Sequence, residues 1–183
     1  MSAPATLSTG RVCLRQWRDD DRDAFAAMNS DARVMEFFRS RLTRGESDAM
    51  VDDIRKHFRE HGFGLWAIEA PGVAPFIGFA GLAIPQFSAH FTPCVEIGWR
   101  LAFEHWGRGY ATEAARLALD YGLETLALPE VVSFTSAANV RSRAVMERLG
   151  MRRDPTDDFD YPRFPEGHPL RGHVLYRLKS TLR

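Results

Sequence analysis

The sequence is poor in cysteine, with only Cys13 and Cys94 among 183 residues, too few for the disulfide framework on which small secreted folds depend. Each sits in an apolar, strand-like stretch, the usual setting of a reduced, buried thiol. No apolar run approaches the roughly 18 residues of a membrane span. The first ten residues, MSAPATLSTG, have neither a basic n-region nor an apolar h-region. A cytoplasmic location without a membrane partner is therefore expected. An excess of one charge is also missing. Lys plus Arg is 24 and Asp plus Glu is 24, which argues against the single-sign field of a nucleic-acid binder. Any anionic ligand has to be met locally. Disorder is excluded as well, because 45% hydrophobic and 26% charged residues are near the averages of globular proteins. At about 150 residues per domain, one domain over residues 1–183 is expected.

Alternation from Val12 to Trp17 predicts a first strand, and Asp19, Asp20 or Asp21 is placed to cap the helix through Phe25 and Met28. Thr43 and Glu46 have capping-box spacing. Met50, Ile54 and Phe58 then mark one face of a helix that ends near His61, before Gly62 and Gly64. Leu65 to Glu69 and Phe76 to Leu82 read as strands joined by the Pro71-Gly72 turn, and Cys94 to Leu101 as a third. Ala111, Ala114, Ala115, Ala118 and Gly122 put small side chains on one helical face, suited to close approach to a sheet. Glu130 to Thr135 is a strand, Asn139 to Leu149 a helix closed by Gly150, and His173 to Leu178 a last strand. No internal repeat or linker interrupts this order. The expectation is a single α+β domain: a mixed, mostly antiparallel sheet of about seven strands flanked by helices.

The strongest local signal is a strand, Val95 to Leu101, that runs into His105-Trp106-Gly107-Arg108-Gly109-Tyr110-Ala111 and directly into a helix. Two glycines there either make a tight strand-helix turn or let successive N–H groups converge on an anion at a helix N-terminus. A P-loop is excluded, because its spacing and lysine are absent, and the dinucleotide fingerprint fails at Thr112, where a third glycine belongs.

The loop resembles the pyrophosphate loop, Gln/Arg-x-x-Gly-x-Gly/Ala, of the acetyl-CoA-dependent N-acetyltransferase superfamily, GNAT. The string from Trp106 to Ala114, with Glu96-Ile97-Gly98-Trp99 before it, is most similar to the ribosomal-protein N-terminal acetyltransferase branch. A second block runs from Asn139 through Ser142, Val145 and Met146 to Gly150. The resemblance implies a GNAT-like fold with acetyl-CoA as co-substrate and no metal. It places Leu101, Phe103, Trp106, Gly107, Arg108, Gly109, Tyr110, Ala111 and Thr112 on the cofactor, with Asn139 against the pantetheine arm. Three positions depart from the pattern. Trp106 replaces a Gln or Arg, Met146 stands where many relatives carry a tyrosine that protonates the thiolate, and Met151 replaces an aromatic.

Glu96 and Arg100 share a strand face with Gly98, opposite Val95, Ile97, Trp99 and Leu101. One account makes the two a surface ion pair. The other, favoured by the resemblance, makes Glu96 the base that takes a proton from the attacking amine, whose pKa lies near 8 to about 10.4. Ser142 is either a helix serine bonded back to a carbonyl or, as the resemblance implies, the proton donor to the leaving thiolate. Asn139 suits an N-cap as well. His57-Phe58-Arg59-Glu60-His61 matches an inverted zincin pattern, but it lies at a helix C-terminus, where histidines suit the dipole. Cys94 is a poor nucleophile, two residues from a carboxylate.

The expected function is transfer of acetyl from acetyl-CoA to a primary amine, a peptide N-terminus or small molecule, by direct attack in a ternary complex. The alternative is an acyl-CoA-binding sensor without turnover, which Trp106 and Met146 leave open. Residues 154–170 carry five acidic side chains against Arg163 alone, so a cationic acceptor steered by this segment is a further expectation. A monomer or homodimer is expected.

Overall fold

A computed structural model of the chain describes residues 5–180. Two short strands, β1 (Leu7–Ser8) and β2 (Cys13–Arg15), precede helices α1 (Asp21–Ser30) and α2 (Arg44–His61). Then follow β3 (Leu65–Ala70), β4 (Ala74–Ala83), β5 (Glu96–Leu101), α3 (Tyr110–Asp120), β6 (Glu130–Ser136) and α4 (Val140–Arg148). The chain closes with β7 (Arg152–Arg153), β8 (Phe159–Asp160) and β9 (Gly172–Lys179). The sheet runs β1-β2-β3-β4-β5-β6-β9-β7, with β8 also on β9. Nine strands replace the expected seven or so. Three of them, β1, β7 and β8, are two-residue pieces too short to show alternation. No described helix is long and apolar enough to cross a membrane.

Local chemistry explains where the helices start. At α2 the Thr43 hydroxyl accepts from the Glu46 N–H, and the Glu46 carboxylate accepts from the Thr43 N–H at 2.7 Å, the reciprocal box expected from spacing. At α1 the expectation fails. Asp20 is the N-cap and makes no side-chain cap, while Asp21 turns inward. Its two oxygens accept from Arg15 Nη1 and Nη2, both at 2.8 Å, and the pair is buried against the sheet. A buried guanidinium claims that carboxylate more strongly than a helix terminus does.

Helix α1 lies over Phe79, with Phe25 and Phe79 ring centroids 6.0 Å apart. Helix α3 lies on the other face: Gly122, just past its end, has no room for a Cβ, which would sit 2.9 Å from Leu82 Cδ1. Phe79 and Leu82 alternate along β4, so the two helices sandwich the sheet. Ala114, Ala115 and Ala118 are fully buried, as their spacing predicts.

Among the described residues only β5 and β6 pair in parallel, and they register at one point, Glu96 with Val132. The Val132 N–H donates to the Val95 carbonyl at 2.9 Å. One step along, the Ile97 carbonyl accepts from the Ser133 hydroxyl at 2.9 Å. A side chain thus takes the place of the next ladder bond, and from there the strands part. The opening between them is the site.

Candidate active site

A cavity of about 1470 Å³ fills the wedge between β5 and β6 and extends along the start of α3 and one face of α4. Its first wall is the β5-to-α3 joint. Gly107 and Gly109 have φ of 72° and 83°, and Gly109 is the N-cap of α3 without a side chain to bond the first-turn N–H groups. Those N–H groups have no intrahelical acceptor and converge where the helix dipole is positive. A Cβ on Gly107 would meet nothing within 4 Å, and one on Gly109 only Arg11 Nη2 at 3.9 Å. The space beside the backbone is open, the fit that a pyrophosphate needs. Trp106, the departure from the family pattern, turns its indole away, and Nε1 donates to the Leu101 carbonyl at 2.8 Å. It pins the loop and leaves the N–H cradle intact.

Of the residues assigned to the cofactor, Leu101, Trp106, Gly107, Gly109, Tyr110, Ala111, Thr112 and Asn139 line this cavity. Phe103 and Arg108 do not. Phe103 lines a smaller surface hollow with Trp106 and Arg141, and the Arg108 carbonyl accepts from Arg11 Nη2 at 2.6 Å. Arg11, which also pairs with Glu113 at 3.4 Å, braces the cradle from the turn between β1 and β2, about a hundred residues away. No sequence spacing announces that contact.

The opposite wall is the N-terminus of α4. Asn139 caps it, its Oδ1 accepting from the Ser142 N–H at 3.2 Å. Asn139 Nδ2 reaches the Thr135 and Ser142 hydroxyls at 3.0 and 3.1 Å. The Ser142 hydroxyl is therefore held as an acceptor and keeps its own proton free to donate. The alternative reading of Ser142, a back-bond to a helix carbonyl, is not found among the described residues. Met146, in the position where many relatives have a tyrosine, is buried and lines the cavity without a proton to give. Met151 is buried in the core.

Glu96 and Arg100 both face the cavity, and here the ion-pair account is corrected. Arg100 is stacked 4.0 Å from the Phe38 ring and donates through Nη1 to Asn29 Oδ1 at 2.6 Å. Burial pulls its pKa down to about 10. Glu96 forms no hydrogen bond or ion pair through its carboxylate among the described residues. Burial pushes its pKa up to about 7, against a smaller opposing pull from Arg163. A carboxylate so placed takes a proton near neutral pH, which an exposed one with an ordinary pKa does poorly. Burial also pushes the Cys94 thiol up to about 11, with Glu96 adding to the effect, so it stays protonated and unreactive.

The segment 154–170 also differs from expectation. Asp157 accepts from Arg177 at 2.7 Å, Asp160 from Arg171 at 3.0 Å, Asp158 pairs with Arg153, and Asp154 caps Thr156. The residues it turns to the cavity are Tyr161, Arg163 and Phe164. Three of the five acidic side chains are thus paired with arginines and none of the five lines the cavity, so the segment turns no carboxylate toward an acceptor there. His57 has both ring nitrogens engaged, Nδ1 with the Phe63 carbonyl at 2.8 Å and Nε2 as acceptor from the Ile84 N–H at 3.2 Å. Among the described residues no three His, Cys, Asp or Glu cluster as a metal site.

Known proteins agree with this geometry. Residues 11–152 match the family model described as an acetyltransferase (GNAT) domain. The FsC-acetyl coenzyme A-N(2)-transacetylase of Aspergillus fumigatus is 37% identical over 97% of this chain and 77% of its own. An acetyltransferase from Agrobacterium tumefaciens str. C58 superposes with a TM-score of 0.78 at 30% identity, covering 96% of this chain and 95% of that one. The ribosomal-protein-S5-alanine acetyltransferase of Vibrio fischeri shares the fold, with a TM-score of 0.76 at 13% identity over 97% of both chains. A wedge between parallel strands, a glycine cradle at a helix N-terminus and these matches make one case: the chain belongs to the GNAT family of acetyl-CoA-dependent acetyltransferases.

Proposed function

We propose that this protein moves an acetyl group from acetyl-CoA to a primary amine by direct attack within a ternary complex. The observation that carries the reading is the Glu96 carboxylate, unpaired, facing the cavity and raised to about 7, on the strand that leads into the glycine cradle. Bound acetyl-CoA supplies a thioester, an acetyl group already activated for attack. The backbone N–H groups of Gly107 to Thr112 hold the pyrophosphate, and Asn139 and the open edges of β5 and β6 hold the pantetheine arm. Glu96 accepts the proton that the acceptor ammonium must lose before its nitrogen can attack. Ser142 Oγ holds a proton at the far wall for the departing sulfur, the role Met146 cannot fill. No acyl-enzyme is needed, in keeping with the protonated Cys94.

Aromatic rings of Phe87, Phe134 and Tyr161 wall the acceptor end, which suits a small amine with an apolar stem, and the relative named for N(2) of FsC supports an amine acceptor. A peptide N-terminus is the other acceptor this chemistry admits. The free thiols of Cys13 and Cys94 suit a cytoplasmic setting. The test is release of free CoA thiol from acetyl-CoA over a panel of small amines and peptides. Thiol release with at least one amine, lost in Glu96→Gln, supports the reading; acetyl-CoA binding without release on any acceptor favours the sensor.

A further inference from the structure

Arg100 lines the cavity, and acetyl transfer does not use it. It is 9% exposed, yet it forms part of the wall. Its only side-chain hydrogen bond among the described residues is Nη1 to Asn29, and Nε is buried with no partner. No carboxylate faces it. A buried cation without an anion is costly, and such groups are ordinarily paired or satisfied by a ligand. The guanidinium is also held in place, its carbon 4.0 Å from the centre of the Phe38 ring and 5.3 Å from that of Phe79. Stacking fixes the orientation of a fork whose geometry matches a carboxylate.

Position relative to Glu96 adds a second argument. Glu96, Gly98 and Arg100 share one face of β5. A Cβ on Gly98 would sit 3.5 Å from Glu96 Oε1, so the carboxylate leans over the glycine and the floor between it and Arg100 is bare. One residue, Trp99, separates Gly98 from Arg100, so the two lie about 7 Å apart along the strand. Arg163 lines the same cavity without an ion-pair partner among the described residues, near enough to Glu96 to oppose its raised pKa.

We propose that the acceptor is an amine bearing a carboxylate, or a similar compact anion, several bonds away, with its nitrogen at Glu96 and its anionic end on Arg100. The proposal rests on the acetyl-transfer reading above and names the substrate class of that same site. An α-amino acid, with its two groups adjacent, does not span the track.

The test compares three amines of one length: ε-aminocaproate, its neutral amide, and hexamethylenediamine. The parent protein is expected to favour the carboxylate over both others by about tenfold or more in kcat/KM, the worth of a charge-assisted hydrogen bond. In Arg100→Gln that selectivity ratio collapses toward unity. Equal or better use of the amide or diamine by the parent overturns the proposal, as does a ratio that survives in a folded Arg100→Gln. If that variant does not fold, the rank order in the parent decides alone. Calorimetric titration of the three amines into CoA-saturated parent protein reads the same preference without turnover. A protein that releases no thiol thus refutes the role of Glu96, while tighter binding of ε-aminocaproate upholds the anion site and equal binding refutes it.

Discussion

Replacing Glu96 by glutamine should cost activity and yield stability, and the two effects have one cause. Burial raises this carboxyl from an ordinary 4.5 to about 7, so the folded protein binds its proton more tightly than the unfolded chain does. Stability therefore falls as pH rises from 4.5 through 7, and the full penalty is present above 7. Each tenfold change in proton affinity is worth about 1.4 kcal/mol, so the ionised Glu96 carries a cost of up to about 3 kcal/mol. Glutamine has nearly the same shape and never ionises. At pH 8 the variant should melt roughly 6–12 °C above the parent, with the gap closing as pH falls toward 4.5. In the parent, kcat/KM should lose activity as pH falls through about 7, because the protonated carboxyl accepts nothing. In the variant that limb should vanish, the neutral-pH rate should drop by about a hundredfold or more, and the loss should shrink at high pH, where the amine is already neutral. Parallel melting curves for the two proteins between pH 4.5 and 8, or parent-level activity at pH 7, would refute the argument.

Gly109→Val should weaken acetyl-CoA binding by at least about tenfold in calorimetry, since a branched side chain at φ 83° strains the turn and intrudes on the cradle; the open surroundings should let the fold survive, as circular dichroism would show. Ser142→Ala should lower kcat by about tenfold or more while the KM for acetyl-CoA stays within about twofold, a split that steady-state kinetics resolves. Asp21→Ala leaves Arg15 buried with only Glu69 at 2.9 Å as a carboxylate partner, and should cost about 3–5 kcal/mol in a denaturant titration.

The sequence made the sheet and the cradle legible because both rest on local rules. Alternation marked the strand around β2, apolar and β-branched runs bounded by turn residues marked β3 to β6, small residues marked the buried face of α3, and Gly107 and Gly109 flagged a helix N-terminus open to an anion. What stayed hidden depends on distant partners. The pattern of β5 put Glu96 and Arg100 on one face, but nothing local said that Asn29 and Phe38, from α1 and the loop after it, would take Arg100 and leave Glu96 alone. The acidic run from Asp154 looked like a steering field, yet Arg153 of β7, Arg171 just before β9 and Arg177 of β9 pair with three of its five carboxylates. Arg11 bracing the cradle is the same kind of contact. Buried, unpaired arginines such as Arg100 are the signal most worth seeking, since an arginine in a strand that reads as buried on both faces has to find a partner or await one.

The most direct measurement follows both products and the protein by mass spectrometry during turnover with acetyl-CoA and an accepted amine. The account predicts one N-acetylated amine for each free CoA thiol released and an intact protein mass that never changes. An acetyl group carried on the protein itself, on Cys94 or any other side chain, and passed from there to the amine would contradict it.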